Sequence, residues 1–276
     1  MRTCPEITTF AFLNSRFLLV GSNIDIETTD PHLYVLNVAH PCNEKTFLTT
    51  EYFCAFAWPQ FSPWSSLVSF SIRSDPSPTW EPNPEAQLPF SVAHQHRLFI
   101  ITSWVLTVDG HEPSYDLFVS ADTLLSHIEA LSTDTSQHII GWDEWGPTGT
   151  RLLPSPFPPS PWVCYVFGTR FATFDSPRTR LYLEVRDFNQ LAMKRAAGSS
   201  KDLISQDEIV QHVYEPTVVK AGVFKNDVRT NLPYRITRRT LPRPSTQWFL
   251  SAVMCSEDSL ILVDVRMLRV DSIRVL

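Results

Sequence analysis

The sequence predicts an all-β chain, a β-propeller-like array of about four to five antiparallel blades with two or three short helices. Three observations predict it. Short apolar runs alternate with polar turns along most of the chain, the pattern of successive strands rather than of long helices. Pro is abundant at 22 residues and Gly scarce at 8, and so many Pro keep helices short and confine strands between turns. Aromatic side chains are plentiful, with 18 Phe, 8 Trp and 7 Tyr, which suits a half-buried pleated surface.

Taken in order, residues 7–20 (ITTFAFLNSRFLLV) read as a hairpin, two apolar runs broken at Asn14-Ser15-Arg16. Strands are expected at 32–39, 47–57, 67–73 and 90–108. Five Pro between 74 and 89 mark an exposed Pro-rich loop. Residues 115–119 form a strand that runs into a short helix, 121–131, capped by Ser120 and apolar on the face of Leu124, Leu125, Ile128 and Leu131. The run Gly141-Trp142-Asp143-Glu144-Trp145-Gly146-Pro147 reads as a corner, closed by a Gly-Pro turn signal. A second Pro-rich loop follows at 154–161. Residues 162–175 form a hairpin turning near Gly168-Thr169, 180–188 a strand, and 189–197 a short helix. Ser205 to Glu208 fits a helix capping box. Strands at 216–224 and 233–241 precede a last hairpin, 249–265, turning at Ser256-Glu257-Asp258.

The hairpins share a pattern of apolar strand, polar turn, Arg and apolar strand. The Arg residues are 16, 97 and 170, with gaps of 81 and 73 residues, close to two blades of roughly 40–50 residues each. Residues 1–276 are therefore read as one interaction domain. It starts in a hairpin and ends in a strand, as an incomplete array would.

Charge is unevenly placed. Residues 1–150 hold 5 Lys+Arg against 17 Asp+Glu, and residues 151–276 hold 18 against 12. Five Cys (4, 42, 54, 164 and 255) are widely spaced and odd in number, which suggests free thiols rather than a zinc site or disulfide framework. With no signal-peptide pattern and no apolar run of transmembrane length, a cytoplasmic or nuclear location without membrane attachment is expected.

The corner motif, Trp142 to Pro147 followed by Thr150-Arg151, resembles a segment of the large fungal F-box protein family. Further pieces agree in order: Trp162 to Gly168, Asp187-Phe188-Asn189, Glu215-Pro216-Thr217, Leu232 to Arg235, and Ser256-Glu257-Asp258. The resemblance covers residues 115–265, and the first third by pattern alone. It implies a propeller-like substrate-recognition region of a ubiquitin-ligase receptor, behind an F-box that holds a Skp1-type adaptor. No three-helix, Leu-Pro-rich F-box pattern is present before residue 7, so adaptor binding is expected only where an F-box precedes this chain.

Candidate sites are few. Trp142, Asp143, Glu144 and Trp145 could stack on and protonate a sugar, which gives the alternative reading of a carbohydrate-binding or glycoside-processing propeller. The structural reading is a corner in which the Trp rings fill a gap and the carboxylates pair with a cation such as Arg151; it carries more weight. His94 and His96 share a strand face, and a metal site there would need His111 or Asp109 as well, so they are read as hairpin-tip residues. No hydrolase or nucleotide-binding motif occurs, and no catalytic residue, metal or other cofactor is expected. Residues 220–243 hold seven cations and one carboxylate. Within them Arg235, Arg238 and Arg239 are the candidates for binding an acidic protein partner, at or near a sheet edge, with Arg235 and Arg239 on one face and Arg238 on the other. Nucleic acid is not expected.

Overall fold

The computed structural model describes residues 7–22, 31–39, 52–79, 81, 96–131, 137–155, 165–175, 181–197, 203–204, 208–241, 250–264 and 269–274. The chain is all-β, with three short helices and several antiparallel sheets and no closed barrel among these residues. In order the elements are β1 (Ile7–Phe12), β2 (Phe17–Ser22), β3 (His32–Asn37), β4 (Cys54–Ala57), β5 (Ser65–Arg73), β6 (Leu98–Thr107), β7 (Ser114–Ser120) and α1 (Ala121–Glu129). Then come β8 (His138–Ile140), α2 (Trp142–Gly149), β9 (Thr150–Pro154), β10 (Val166–Phe167), β11 (Arg170–Asp175), β12 (Leu181–Asp187) and α3 (Gln190–Ala196). The last are β13 (Leu203–Ile204), β14 (Glu208–Val213), β15 (Thr217–Val219), β16 (Val228–Thr230), β17 (Tyr234–Leu241), β18 (Leu250–Cys255), β19 (Ser259–Asp264) and β20 (Arg269–Arg274).

Two compact units make up the chain, neither continuous in sequence, where composition and spacing point to one domain. Unit 1 comprises Met1–Trp80, Phe99–Pro159 and Pro216–Leu232; unit 2 comprises Glu81–Leu98, Ser160–Glu215 and Pro233–Leu276.

Unit 1 holds a five-stranded sheet, β1-β2-β3-β4-β8, a four-stranded sheet, β5-β6-β7-β9, and the hairpin β15-β16. All pairs in the five-stranded sheet are antiparallel except β4 with β8. The β1–β2 turn explains its own sequence: the Asn14 side chain accepts the N–H groups of Arg16 and Phe17, both at 2.8 Å, which closes an Asx turn. The larger core of the unit is built from both sheets, and a second cluster, Val20, Tyr34, Leu36 and Ala55, lies on the other face of the first sheet. Leu19, Val35 and Phe56 enter the larger core from the first sheet, Ile72, Phe99, Ile101 and Leu117 from the second, Leu124 and Ile128 from α1, and Phe224 and Val228 from the segment that returns late in the sequence. Each such side chain contributes about 1.5–3 kcal/mol by leaving water.

Unit 2 contains a six-stranded sheet, β10-β11-β12-β17-β14-β13, and a three-stranded one, β18-β19-β20. Gly168, with φ of 60°, makes the β10–β11 turn in a conformation that other residues rarely adopt. Asn189 caps α3 by accepting the Ala192 N–H at 3.0 Å. Phe188 stacks on Tyr234 at 5.2 Å.

Several expectations are corrected. Glu208 opens strand β14 and so caps no helix. The strand expected at 216–224 is β15, followed by the turn to β16, with Lys220 and Asp227 paired at 2.9 Å. The expected corner at 141–147 is instead the start of α2. Most of both Pro-rich loops, 82–89 and 156–161, lies outside the described residues, as does the strand expected before Arg97; Pro154 itself ends β9.

Candidate functional site

α2 forms because Gly141 and Glu144 reciprocate at its start. The Glu144 Oε1 accepts the Gly141 N–H at 2.9 Å, and both Asp143 and Glu144 lie in the first turn, where carboxylates favour the positive end of the helix dipole. Helical spacing places Trp142 and Trp145 on one side, edge to face at 5.2 Å. The Trp142 ring lies against the helix where Gly146 has no side chain, since a Cβ there would sit 2.5 Å from it.

Trp145 is 0% exposed. Its Nε1 donates to the Ala57 carbonyl at 3.0 Å, and its ring meets Phe56 edge-on at 5.1 Å. Neither face is open to a sugar ring, so this indole is no stacking platform. Asp143 is exposed.

Arg151 is also 0% exposed. It does not serve Asp143 or Glu144. Its Nε donates to the Leu232 carbonyl at 2.8 Å, and its Nη1 to the Thr217 hydroxyl at 2.8 Å and the Thr230 carbonyl at 3.5 Å. The Leu152 N–H adds a bond to the Thr230 hydroxyl at 2.9 Å, and the Asn231 and Leu232 N–H groups bond the Pro147 and Thr150 carbonyls at 3.0 and 2.9 Å. One guanidinium thus grips both ends of the segment 217–232, and the α2–β9 region is a structural clasp.

β17 carries the three candidate arginines, all exposed. It is not at an edge: β12 and β14 flank it. Alternation along the strand sets Arg235 and Arg239 on one face of the sheet and Arg238 on the other, so the three do not form one surface. Each has a carboxylate within reach of its register. Asp187 lies opposite Arg235 and bonds it at 3.2 Å. Glu184 lies opposite Arg238, bonds it at 2.7 Å, and also holds Arg186 at 2.8 Å; the Glu184 side chain is 10% exposed. Glu208 stands across from Arg239. These acidic partners come from the basic half of the chain itself, not from residues 1–150.

The remaining candidates stay apart. His96 is exposed and His94 lies outside the described residues. Asp109 and His111 form an exposed pair at 3.7 Å; a hydrogen bond from the Thr107 hydroxyl holds the Asp109 carboxyl below its usual range. Among the described residues no three metal-ligating side chains gather, and no helix is long and apolar enough to cross a membrane. Cys54 and Cys255 are buried thiols, each pushed up to about 12 by burial.

Comparisons of this chain with protein-family models, with curated proteins and with solved structures found no match.

Proposed function

We propose that this chain is a non-enzymatic protein-interaction domain of the cytoplasm or nucleus, akin to the substrate-recognition region of F-box ubiquitin-ligase receptors, with its sheets serving as blades of a propeller-like array. The chain order supports the blade reading: β1 to β4, β5 to β7, β10 to β12 and β18 to β20 are successive antiparallel runs. The observation that carries the function is the exposure of Arg235 and Arg239 on one face of an inner strand. Arg suits forked contacts with carboxylates, so the partner is a protein with an acidic segment. An Asp/Glu-rich peptide should bind the full chain, more weakly as salt rises, and Arg239→Glu should weaken binding while leaving the melting temperature nearly unchanged. No binding, or binding that Arg239→Glu leaves intact, would defeat the reading.

A further inference from the structure

Unit 1 displays a second exposed surface, built on β5 and β6 rather than on β17. β5 and β6 pair with Ser65 opposite Thr107 and Ser66 opposite Leu106. The ladder extends one step beyond both strands, through the Val108 N–H to the Trp64 carbonyl at 2.9 Å. Directly opposed residues of an antiparallel pair share a face, so Trp64, Ser66, Leu106 and Val108 stand together. On the reverse face Val105 is buried at 0% exposure. On this face Trp64 is 67% exposed, Val108 75% and Leu106 41%. A large indole left in water beside two aliphatic side chains is uncommon on a surface without a partner.

Charge states what covers it. The exposed Asp109 and Glu112 follow Val108 in the turn that closes β6 on β7. From Leu98 to Thr150 the sequence has eight Asp and Glu and no Lys or Arg; Asp116 among them is buried, and Asp109 and Glu112 are the exposed pair next to Val108. That stretch supplies β6, β7, α1, β8 and α2.

We infer that the Trp64–Leu106–Val108 face is a docking surface for a protein segment in which apolar side chains are interleaved with Lys or Arg. The apolar residues of the segment cover the indole and the aliphatic pair, and its cations meet Asp109 and Glu112. A membrane fits less well, since an acidic rim repels anionic headgroups. Asp109 is exposed, and its carboxylate, held below the usual range by the Thr107 hydroxyl, also lies 3.7 Å from His111.

The test pans the full chain against a random peptide display library, with Trp64→Ser/Val108→Ser as counter-selection. Recovered peptides should combine apolar and basic residues and bind the double variant about tenfold more weakly, with its melting temperature unchanged. Asp109→Asn/Glu112→Gln should also weaken binding and flatten its salt dependence, and this second pair decides the matter if the first variant fails to fold. Peptides lacking cations, an absence of enrichment, or affinity indifferent to both variants would overturn the inference. So would a face used otherwise: vesicle binding, neutral or anionic, or concentration-dependent self-association in sedimentation, that is lost in Trp64→Ser/Val108→Ser.

Discussion

Trp145 shows how one side chain can meet two demands. Its ring fills the unit 1 core, and its only polar atom finds the Ala57 carbonyl. Trp145→Ala should cost about 3–5 kcal/mol in a denaturant titration, the range for a large aromatic lost from a core. Trp145→Phe should cost about 1–3 kcal/mol, from the ring volume lost in the core and from the half-buried Ala57 carbonyl left without its donor. An Ala variant as stable as the parent would show that the indole fills nothing. The Trp pair is visible in the sequence, because two Trp three residues apart are conspicuous. The helix is not, because Gly146-Pro147 is a turn signal and α2 carries Pro147 inside it. Nor is the partner of Arg151. The carboxylates nearest in sequence are its obvious partners, yet the guanidinium bonds carbonyls up to 81 residues away, and spacing carries no trace of such a contact.

Among elements, hairpins are the most legible, because each turn is made by residues adjacent in sequence. Asn14 makes the first one, Gly168 the second, and Ser256, whose hydroxyl accepts the Ser259 N–H at 3.1 Å, the last. The recurrent Arg is less informative than its spacing suggests. Arg16 is exposed beside the Phe17 ring, Arg97 is 1% exposed, and Arg170 donates to the Glu257 carbonyl at 2.6 Å. β17 reads as an edge in sequence because a basic strand between Pro residues resembles one. It tolerates an inner position because carboxylates 48 and 54 residues earlier in the chain neutralise it. The two faces of β17 should therefore respond differently to charge reversal. Arg238→Glu sets a second carboxylate against the nearly buried Glu184 and should cost about 1–3 kcal/mol. Arg239→Glu meets Glu208 on one neighbouring strand and the apolar Leu183 on the other, and should cost about 0.2–1 kcal/mol. Thermal melts of the two variants check the order, and equal losses would contradict the assigned faces.

For the molecule as a whole, the all-β class follows from composition and alternation, whereas the division into units does not. Sequence reading follows adjacency, and here Pro216–Leu232 belongs with two earlier segments, the nearer of which, Phe99–Pro159, ends 57 positions before it. A chain ending at residue 159 lacks Val219, Phe224 and Val228 from its core and every described acceptor of Arg151. It should show no cooperative melt by circular dichroism and should bind a dye for exposed apolar surface. A sharp transition in that truncated chain would mean that the late segment is dispensable to unit 1.

The clasp also fixes an order of events during synthesis. Arg151 leaves the ribosome 81 residues before the Leu232 carbonyl that receives it. At translation rates of roughly 5–20 residues per second that is a wait of about 4–16 s. Throughout that interval the nascent chain carries a hydrated guanidinium at a position that ends fully dry. Unit 1 therefore starts first and finishes late, and for those seconds its unclosed core is the part of the chain most in need of a chaperone.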